Sequence, residues 1–467
     1  MGQMMQRFQT SARHTVQRLF EPVDAASLAV FRIAVGALLL WEVTRFFRFG
    51  WIEQQFIEPQ FHFTYFGFEW VRPLPAVGMY TLFVFLGVCA VGMLLGLYYR
   101  ICTALFCAGF SYVFLIDQAL YLNHFYLICL ITFLLVFIPA NCTWSLDAVR
   151  NRTLRCNVVP RWALSLLRVQ IGIIYFYAGL AKLNNDWLRG EPMREWLAEL
   201  APGSILSTQA VAHFLSYGGV LFDLLVVPLL LWRRTRLFAL AVAVAFHVGN
   251  HFLFQIGVFP WFMIAATLLF LEPGWPRRLL HFDLSARDAL SQPARRRRRR
   301  TVGLIGVYLL LQSLIPLRHH LYPGNPSWTE EGHRFAWHMK LRSKQADALF
   351  FVHDGSASET FRFDAWAFLE PWQYDKMAGR PDMILQMAHF IASDFRTDSD
   401  KPISVHAEVV ASLNSRPAQL LVNPNVDLAS EPRSLRHASW INLLATDFDV
   451  SHRSGRSRTV VARQLTP

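Results

Sequence analysis

The sequence predicts a membrane α-helical bundle of about nine transmembrane helices, followed by a β-rich extracytoplasmic domain. Hydrophobic residues make up 54% of the 467 positions, and most of them lie before residue 320. Several segments there reach the roughly 18 to 20 apolar residues that cross a bilayer. After residue 320, short alternating runs replace the long apolar ones. We therefore assign residues 1–318 to a transmembrane domain and residues 319–467 to a soluble domain.

Nine apolar segments are the candidate membrane spans. The seventh and eighth share one nearly continuous apolar run, and the ninth is short. The first twenty residues lack the compact apolar core and small-residue cleavage site of a signal peptide, so we expect them to remain as a basic amphipathic lead-in. The predicted spans are 26–47, 79–98, 101–117, 123–140, 163–182, 209–231, 237–253, 257–272 and 302–317.

The positive charge of the chain is interpreted as a signal for orientation. The formal net charge is +12, and the run Arg295–Arg300 is of a kind that also occurs in nucleic-acid-binding proteins. In a multi-span protein, short loops rich in Lys and Arg are retained in the cytoplasm. Three such loops fall on the same side as the N-terminus, so we predict no nucleic-acid partner. These basic loops are 150–161, 232–236 and 277–300.

The opposite, outer face is then predicted to carry the soluble domain. It would be the periplasm if the protein sits in a bacterial inner membrane, and the lumen if it sits in the endoplasmic reticulum membrane. All six Cys precede the soluble domain, so no disulfide can join that domain to the spans. The loops expected on this outer face are 48–78, 118–123, 183–208 and 253–257.

The soluble domain is predicted to contain strands and one helix. The runs ALFFVHDG and ETFRFDAWAFL indicate a hairpin with a longer loop. PDMILQMAHFIASDF begins with proline, has an acidic residue in its first turn and repeats apolar residues at helical spacing, which predicts a helix. ISVHAEVVASLN and AQLLVNPNVDL predict two further strands.

Ionisable side chains within the spans are candidates for function, because burying charge in hydrocarbon costs several kcal/mol. We interpret four of them as structural, in interhelical pairs or at the interface: Arg32, Glu42, Arg168 and Asp223. Lys182 ends the fifth span within GLAKLNNDW and could likewise extend its amine to the interface. Its polar neighbours favour a different interpretation.

Polar side chains from five helices are predicted to meet at one depth near the outer face. A lone histidine at a span end is usually a hydrogen-bonded helix terminus, but several helices that bring polar residues to one level indicate a pocket. The residues are Tyr175 and Lys182 on the fifth span, Asn123 and His124 on the fourth, Tyr217 on the sixth, His247, Asn250 and His251 on the seventh, and His319 and His320 after the ninth.

Such a pocket suits acid–base chemistry on a lipophilic substrate. A lysine amine that is partly withdrawn from water can be uncharged near physiological pH and act as a general base. Neutral histidine and asparagine side chains can donate hydrogen bonds to the oxyanion that forms. His247 and His251 have the spacing of a chelating pair, but no acidic residue or cysteine lies near them in sequence, so we predict no metal site.

Several ordered motifs run from the first span to about residue 445. In the spans they are YLNHFYL, YFYAGLAKLNNDWLRGEPM, AFHVGNHFLFQIGVFPW and LEPGWPRRLL; in the soluble domain they are NPSWTEEGHRFAWHMKLRSK, SLNSRPAQLLVNPNVDLA and RHASW. Together they resemble the vitamin K-dependent gamma-glutamyl carboxylases. The resemblance implies that a lysine deprotonates vitamin K hydroquinone and that dioxygen oxidises the anion, which generates a base strong enough to remove a γ-proton from peptide glutamate. Carbon dioxide captures the carbanion, and the quinone leaves as its epoxide.

The resemblance also implies roles for individual residues. It assigns the catalytic base to Lys182 and catalytic support at the quinone to Asn123 and His124. The predicted cofactor-binding residues are His247, which matches a family histidine, with Asn250 and Tyr175. The predicted substrate-binding residues are His319, Trp328, Trp337 and Asn425.

Two departures from the animal enzymes affect substrate choice more than quinol chemistry. The lysine that precedes the catalytic one in those enzymes is Ala181 here, and an arginine of the later strand region is replaced by Asn425. The cofactor implied is vitamin K hydroquinone or menaquinol, with dioxygen and carbon dioxide as co-substrates. The implied partner is a Glu-containing secreted peptide or protein.

Two alternatives remain beside a membrane carboxylase. A quinol oxygenase would form the epoxide without carboxylating peptide, and so would keep only the first half of the reaction. A transporter or non-catalytic scaffold is the other alternative. A transporter should show internal repeats and polar groups near the middle of the bilayer, whereas the polar set here gathers at one face.

Overall fold

The computed structural model of the chain describes residues 16–254, 256–280, 294–354, 360–396 and 403–445. The predicted lead-in lies largely before residue 16, and part of the basic loop at 277–300 and the end of the soluble domain also lie outside these residues. Within them, each predicted span coincides with a helix. Seven helices are long and apolar enough to cross a membrane by length and composition, and two shorter apolar ones, Asn123–Phe137 and Phe259–Phe270, correspond to the remaining predicted spans.

The longer helices are numbered in chain order, with α6 in the loop between α5 and α7 and α11 in the soluble domain. They are α1 Ala26–Arg48, α2 Ala76–Leu95, α3 Tyr99–Ile116, α4 Asn123–Phe137, α5 Arg161–Ala181, α6 Glu191–Leu200, α7 Gln209–Leu231, α8 Arg236–Phe254, α9 Phe259–Phe270, α10 Arg295–Leu314 and α11 Pro381–Arg396. Single-turn or short helices occupy Glu53–Ile57, Gln118–Leu120, Leu146–Arg150, Asn185–Leu188, Ile205–Ser207, Trp275–Leu280, Ile315–Leu321, Pro326–Thr329, Ala365–Phe368 and Pro371–Met377.

The arginine run corrects one expectation about the loops. We predicted Arg295–Arg300 as the end of a loop, but α10 begins at Arg295 and the run forms its first turns. Arginine has a high helix propensity, and its long side chains extend away from the helix axis into water. The helix can therefore extend beyond the apolar segment that the hydropathy pattern identifies.

The buried charges of the first span are used structurally, as predicted. The Arg32 guanidinium donates hydrogen bonds to the carbonyl oxygens of Met93 (3.2 Å) and Leu94 (3.3 Å), which end α2. The chain turns there at Gly96, with a φ of +63°, and a Cβ at this position would lie 2.0 Å from a guanidinium nitrogen of Arg32. The glycine thus provides both the turn and the space for the arginine.

Two further ionisable residues of the spans are also structural. Arg168 on α5 donates hydrogen bonds to the carbonyl oxygens of Leu269 (2.7 Å) and Leu271 (2.9 Å), at the end of α9. Glu42 pairs with Arg45 one turn later on α1, at 2.6 Å. Each of these charges is satisfied close to a helix end, which limits the cost of its burial.

The basic loops meet at one end of the bundle. Two short strands, β1 (Pro22–Asp24) and β2 (Val158–Pro160), pair antiparallel at this end. Arg277 pairs with Asp24 at 3.0 Å, and Arg233 pairs with Glu272 at 2.9 Å. The segments that we predicted to share the side of the N-terminus therefore lie together.

The soluble domain contains a four-stranded antiparallel sheet in the order β4-β3-β5-β6. Its strands are β3 (Lys344–Asp354), β4 (Thr360–Phe363), β5 (Ile403–Leu413) and β6 (Gln419–Leu420). Alternate residues of β5 are buried, as a sheet with one covered face requires, and α11 packs on that face. The helix and the ISVHAEVVASLN strand are confirmed. The hairpin is confirmed in part, since its second run pairs only over Thr360–Phe363 and then forms the short helix Ala365–Phe368. Its predicted loop lies outside the described residues.

The last predicted strand is largely wrong. Only Gln419 and Leu420 of AQLLVNPNVDL pair with β5. Farther along, the Asp427 carboxylate accepts a hydrogen bond from the backbone N–H of Val405 at 2.9 Å. A side chain here takes the place of a ladder partner, and Pro424 cannot donate a ladder hydrogen bond at all.

The loops predicted to lie on the outer face contact the soluble domain. The backbone N–H of Thr64 donates to Gln386 of α11 at 2.9 Å, and Gln373 donates to Asp117 at 3.0 Å. Farther along, Arg416 donates two hydrogen bonds to Asp186, at 2.6 and 2.7 Å. The soluble domain therefore covers one end of the helical bundle, opposite the basic loops.

Candidate functional site

A cavity of about 260 Å³ lies among α5, α7, α8 and α9, and a segment of the soluble domain closes one side of it. Its walls are mainly apolar, with Ile174, Leu215, Phe246, Phe259 and Met263 among the lining residues. The polar lining residues are Tyr175, Lys182, Asp223, His247, Asn250 and Lys340. Four of the ten predicted site residues are thus brought to one cavity: Lys182, Tyr175, His247 and Asn250.

An ion pair between Lys182 and Asp223 lies in this cavity. The Lys182 Nζ atom is 2.5 Å from a carboxylate oxygen of Asp223, and the two residues are 7% and 5% exposed. Close contact between α5 and α7 allows this pairing. A Cβ at Gly179 would lie 2.7 Å from the side chain of Leu224 and 3.2 Å from Asp223, so glycine is needed at this point of α5.

The ion pair extends one expectation. Asp223 was interpreted as a structural residue, in an interhelical pair or at the interface. It does form an interhelical pair, and its partner is the predicted base. The sequence did contain a signal: an isolated acidic residue in an apolar span needs a partner, and that partner is a functional candidate by default.

The segment that follows Lys182 explains why α5 ends there. Lys182 follows the last residue of α5, where a cation also interacts favourably with the helix dipole. Asn184 then accepts a hydrogen bond from the N–H of Trp187 at 2.9 Å and begins the next short helix. Trp187 donates its indole N–H to the carbonyl oxygen of Ser216 on α7 at 2.8 Å, and its ring centroid lies 5.4 Å from the Lys182 Nζ.

A second polar pair lies in the same cavity. The Tyr175 hydroxyl and the His247 Nε2 are 2.7 Å apart, and both side chains are buried. The Nδ1 atom of His247 is buried and has no hydrogen-bond partner among the described residues. Buried polar atoms normally have partners, so this nitrogen is available to a ligand. Asn250, one turn farther along α8, also lines the cavity.

Asn123 and His124 lie beside the cavity but do not line it. The His124 ring packs against Phe259, at 6.1 Å between centroids, and Phe259 in turn lies 6.3 Å from the His247 ring. Asn123 faces the soluble domain: its amide donates to the carbonyl oxygen of His338 at 3.1 Å. The Phe259 ring, which lines the cavity, therefore packs against both histidines.

The predicted substrate-binding residues are dispersed. Trp328 is fully buried in the core of the soluble domain and donates its indole N–H to the Asn442 carbonyl oxygen at 2.8 Å. Trp337 is fully buried and stacks on Tyr126 of α4, at 5.1 Å between centroids. Neither tryptophan lines the cavity. Both are packed as core residues that fix the segment between them.

His319 and Asn425 lie in different places again. The His319 ring is 4.8 Å from that of His338, so it is close to Asn123, whose amide contacts the His338 backbone. Asn425 is exposed, and the chain around it contacts His406 near the start of β5. Asn414, which contacts the membrane domain, is eight residues farther along, or about 27 Å in an extended strand.

The described residues contain no group of three or more side chains placed to hold a metal ion. His251 lies one helical turn after His247, but its ring packs against Trp261, at 5.4 Å between centroids. The two histidines therefore have no third ligand within the described part of the chain, and the acid–base pair of Lys182 and Asp223 is the chemically distinctive feature of the cavity.

Comparison with known families identifies both parts of the chain. Residues 20–275 match the family model of the HTTM domain, and residues 297–447 match that of the vitamin K-dependent gamma-carboxylase, lumenal domain. With its apolar helices, this combination defines an integral membrane protein of the carboxylase class. The chain belongs to the vitamin K-dependent gamma-carboxylase family. No solved structure matches the chain.

Proposed function

We propose that the protein is a vitamin K-dependent gamma-glutamyl carboxylase, which couples oxygenation of a quinol to carboxylation of peptide glutamate. One observation carries the proposal: an apolar cavity beneath the lumenal domain contains a buried Lys182–Asp223 pair next to a histidine with a free ring nitrogen. Proton abstraction from a lipophilic quinol needs these features. The family supplies the reaction class, and the cavity supplies the groups.

The cavity has the chemical character that a quinol ring requires. Its apolar walls, with Phe246 and Phe259 on α8 and α9, suit an aromatic ring. The unpartnered Nδ1 of His247 and the amide of Asn250 can hydrogen-bond to ring oxygens. When bound, the quinol supplies the reducing electrons with which dioxygen is activated. The residues of the chain bind the ring, orient its hydroxyl groups and exclude water.

The Lys182–Asp223 pair would act as one proton-accepting unit. A charged pair in an apolar cavity pays for its desolvation, whereas a neutral amine hydrogen-bonded to a carboxylic acid does not. When a ring enters and displaces water, the proton shared by the pair can therefore pass to Asp223. The Lys182 amine would then be free to accept a proton from a bound hydroxyl group, and the resulting ammonium would lie where negative charge develops.

A groove between α5 and α7 offers a place for the apolar tail of the quinol. Its volume is about 540 Å³, and its lining includes Gly172, Phe176, Val227 and Leu231. Asp223 lines both this groove and the cavity, so the two spaces adjoin this residue. A quinol that entered sideways from the bilayer could keep its tail in the groove while its ring reaches Lys182.

The peptide substrate would arrive from the opposite direction. The soluble domain covers the cavity, and the basic loops lie at the other end of the bundle, so the positive-inside rule orients the cavity outwards. We assign this side to the periplasm if the host is a bacterium, with the chain in the inner membrane, and to the lumen if the host is a eukaryote.

A dual assay tests the proposal. Purified protein receives reduced vitamin K, labelled bicarbonate and a Glu-containing peptide, and epoxide and incorporated label are measured in parallel. The wild-type protein should form both products, and Lys182→Ala should form neither. Lys376→Ala, which removes an exposed lysine of the soluble domain, is the matched control and should form both. Unchanged epoxide formation by Lys182→Ala would contradict the role of the lysine.

A quinol oxygenase without carboxylation is the second candidate. One observation favours it: the cavity gathers groups for the first half-reaction, while Trp328 and Trp337, predicted to bind glutamate, are fully buried elsewhere. The same assay separates the two candidates, since epoxide without incorporated label would leave only the oxygenase.

A further inference from the structure

Lys340 is a second lysine at the cavity, and the mechanism above does not use it. It belongs to the soluble domain, its side chain is exposed, and its backbone has a φ of 48°, a conformation that residues with a side chain rarely adopt. The Lys340 Nζ lies 5.6 Å from the ring centroid of Trp196 on α6 and 5.2 Å from that of Phe254 at the end of α8. Aromatic rings attract an ammonium group without neutralising its charge.

The charges around the cavity do not balance. Two lysines and one carboxylate line it among the described residues, and that carboxylate, Asp223, is in contact with Lys182. No acidic side chain of the described residues forms an ion pair with Lys340. The aromatic rings beside its amine withdraw it partly from water, which lowers its pKa. The cavity therefore has one positive charge in excess whenever Lys340 is protonated. An anionic guest would be attracted to this position.

The two lysines lie at opposite ends of a row of rings. The Lys182 Nζ is 5.4 Å from the Trp187 ring, which is 6.5 Å from the Trp196 ring, and Lys340 lies beyond Trp196. Lys182 lies deep between helices, whereas Lys340 is exposed and belongs to the domain that faces the peptide. The excess charge is thus at the outer mouth of the cavity.

We infer that Lys340 binds the side-chain carboxylate of the glutamate substrate at this mouth. The inference rests on the proposed function and names a binding residue for its second substrate. In the carboxylation step, the γ C–H bond breaks and its proton passes to the base that quinol oxidation generates. The electron pair stays on the γ-carbon and forms the new C–C bond with carbon dioxide.

The chemistry of this step requires a cation near the carboxylate. Removing a proton from the carbon next to a carboxylate places a second negative charge on a group that is already an anion. A fixed ammonium lowers the energy of that dianion more than that of the resting glutamate, so it would assist the reaction as well as the binding. The carboxylated product adds another carboxylate at the same carbon.

Amine labelling tests the inference without any turnover. The full-length protein in detergent is treated with an amine-acetylating reagent, and acetylation of Lys340 is followed by mass spectrometry. A Glu-containing peptide should slow acetylation of Lys340 about fivefold, the size expected for a partly exposed ion pair, and the matched Gln peptide should not. Lys376, which is exposed and does not line the cavity, is followed in parallel; because the charge of Lys340 acts on it, the Gln peptide serves as the reference.

Kinetic variants provide a second readout. Lys340→Met should raise the KM for the Glu peptide and lower the ratio of incorporated carbon dioxide to epoxide about fivefold, while Lys340→Arg should restore most of that ratio. Lys376→Met is the matched control. Equal protection by Glu and Gln peptides, or a wild-type ratio in Lys340→Met, would overturn the inference.

The experiments distinguish the failure of the Lys340 carboxylate site from the failure of the proposed carboxylase function. Protection of Lys340 by the Glu peptide in a protein that never incorporates label would support the carboxylate site and refute carboxylation. Label incorporation without protection would support carboxylation and refute the role of Lys340.

Discussion

The membrane cavity and the core of the soluble domain differ in how many partners each buried carboxylate has. In the cavity, Asp223 is the one carboxylate near Lys182, at 2.5 Å. In the soluble domain, Glu330 lies 2.6 Å from Arg342, 3.6 Å from Lys344 and 3.8 Å from a histidine; we call these residues, with His333, the Glu330 network. A charge with several partners keeps its charge when one of them changes. An ion pair with a single partner can be neutralised by proton transfer when a ligand enters and displaces water. A group that accepts a proton during a reaction requires this property.

The largest effect is expected from breaking the single pair. Asp223→Leu leaves the Lys182 ammonium alone in an apolar cavity, which costs about 3 to 5 kcal/mol of stability. It also removes the group that accepts the shared proton, so epoxide formation should fall by about 100-fold or more. Thermal unfolding and the rate of epoxide formation measure the two effects. Epoxide formation at the wild-type rate in folded Asp223→Leu protein would refute the paired mechanism.

Two variants separate folding from chemistry. Lys182→Met combined with Asp223→Leu removes both charges, so stability should recover while activity stays absent. Glu42→Leu breaks another buried pair, that with Arg45 on α1, which does not line the cavity. It should lose stability but keep its rate per folded molecule.

A smaller loss of stability is expected at the contact between the two domains. Two arginine substitutions there and in the Glu330 network compare a carboxylate that has one cationic partner with a carboxylate that has several. Arg416→Met removes the cation from buried Asp186, whose remaining side-chain partner among the described residues is neutral Asn414 at 2.7 Å. Arg342→Met removes a cation at the same distance, 2.6 Å, from Glu330, which keeps Lys344. We expect losses of about 3 to 5 kcal/mol and about 1 to 3 kcal/mol, respectively.

Thermal unfolding measures the difference between these two variants, and limited proteolysis between the domains reports on docking. Arg416→Met should be cleaved faster because the contact with Asp186 holds the soluble domain against the loop after α5. Equal losses from both substitutions would mean that the number of charged partners does not control the cost of removing one.

The helical elements could be predicted because each depends on local composition. All nine predicted spans coincide with helices, since a long apolar run has few alternatives to a helix in a membrane. The start of α10 could not be located, because arginine continues a helix although it interrupts an apolar run. The prediction of the final strand was wrong for a different reason. The Asp427 side chain takes the place of a backbone partner of β5, and residue spacing does not reveal such a long-range contact.

The candidate site was predictable only in part, for the same physical reason. Lys182, Tyr175, His247 and Asn250 share one level of the bundle because helical rise and apolar span ends fix their depth. Depth does not specify which helix faces which, so the pairing of Lys182 with Asp223 was not foreseen. The packing of Phe259 beside His124 and the approach of Lys340 from another domain are tertiary contacts of the same kind.

The smallest expected effect concerns the pH dependence of the Glu330 network. Burial lowers the pKa of Lys344 to about 7, although the Glu330 carboxylate partly opposes this shift, and its amine donates to the carbonyl oxygens of Trp328 and Gly379, each at 2.6 Å. An unfolded lysine has a pKa of about 10.4. Between these values the unfolded chain binds one more proton than the folded one, so stability should rise with pH.

The slope is at most about 1.4 kcal/mol per pH unit, and it should vanish below about pH 7, where both states are protonated. Lys344→Met removes this contribution, so the difference in unfolding temperature between wild type and variant should change steadily from pH 7 to pH 10 in favour of the wild type. A constant difference would show that the amine stays charged in the folded domain. In that case the Glu330 carboxylate and the two carbonyl oxygens would outweigh the effect of burial on the Lys344 amine.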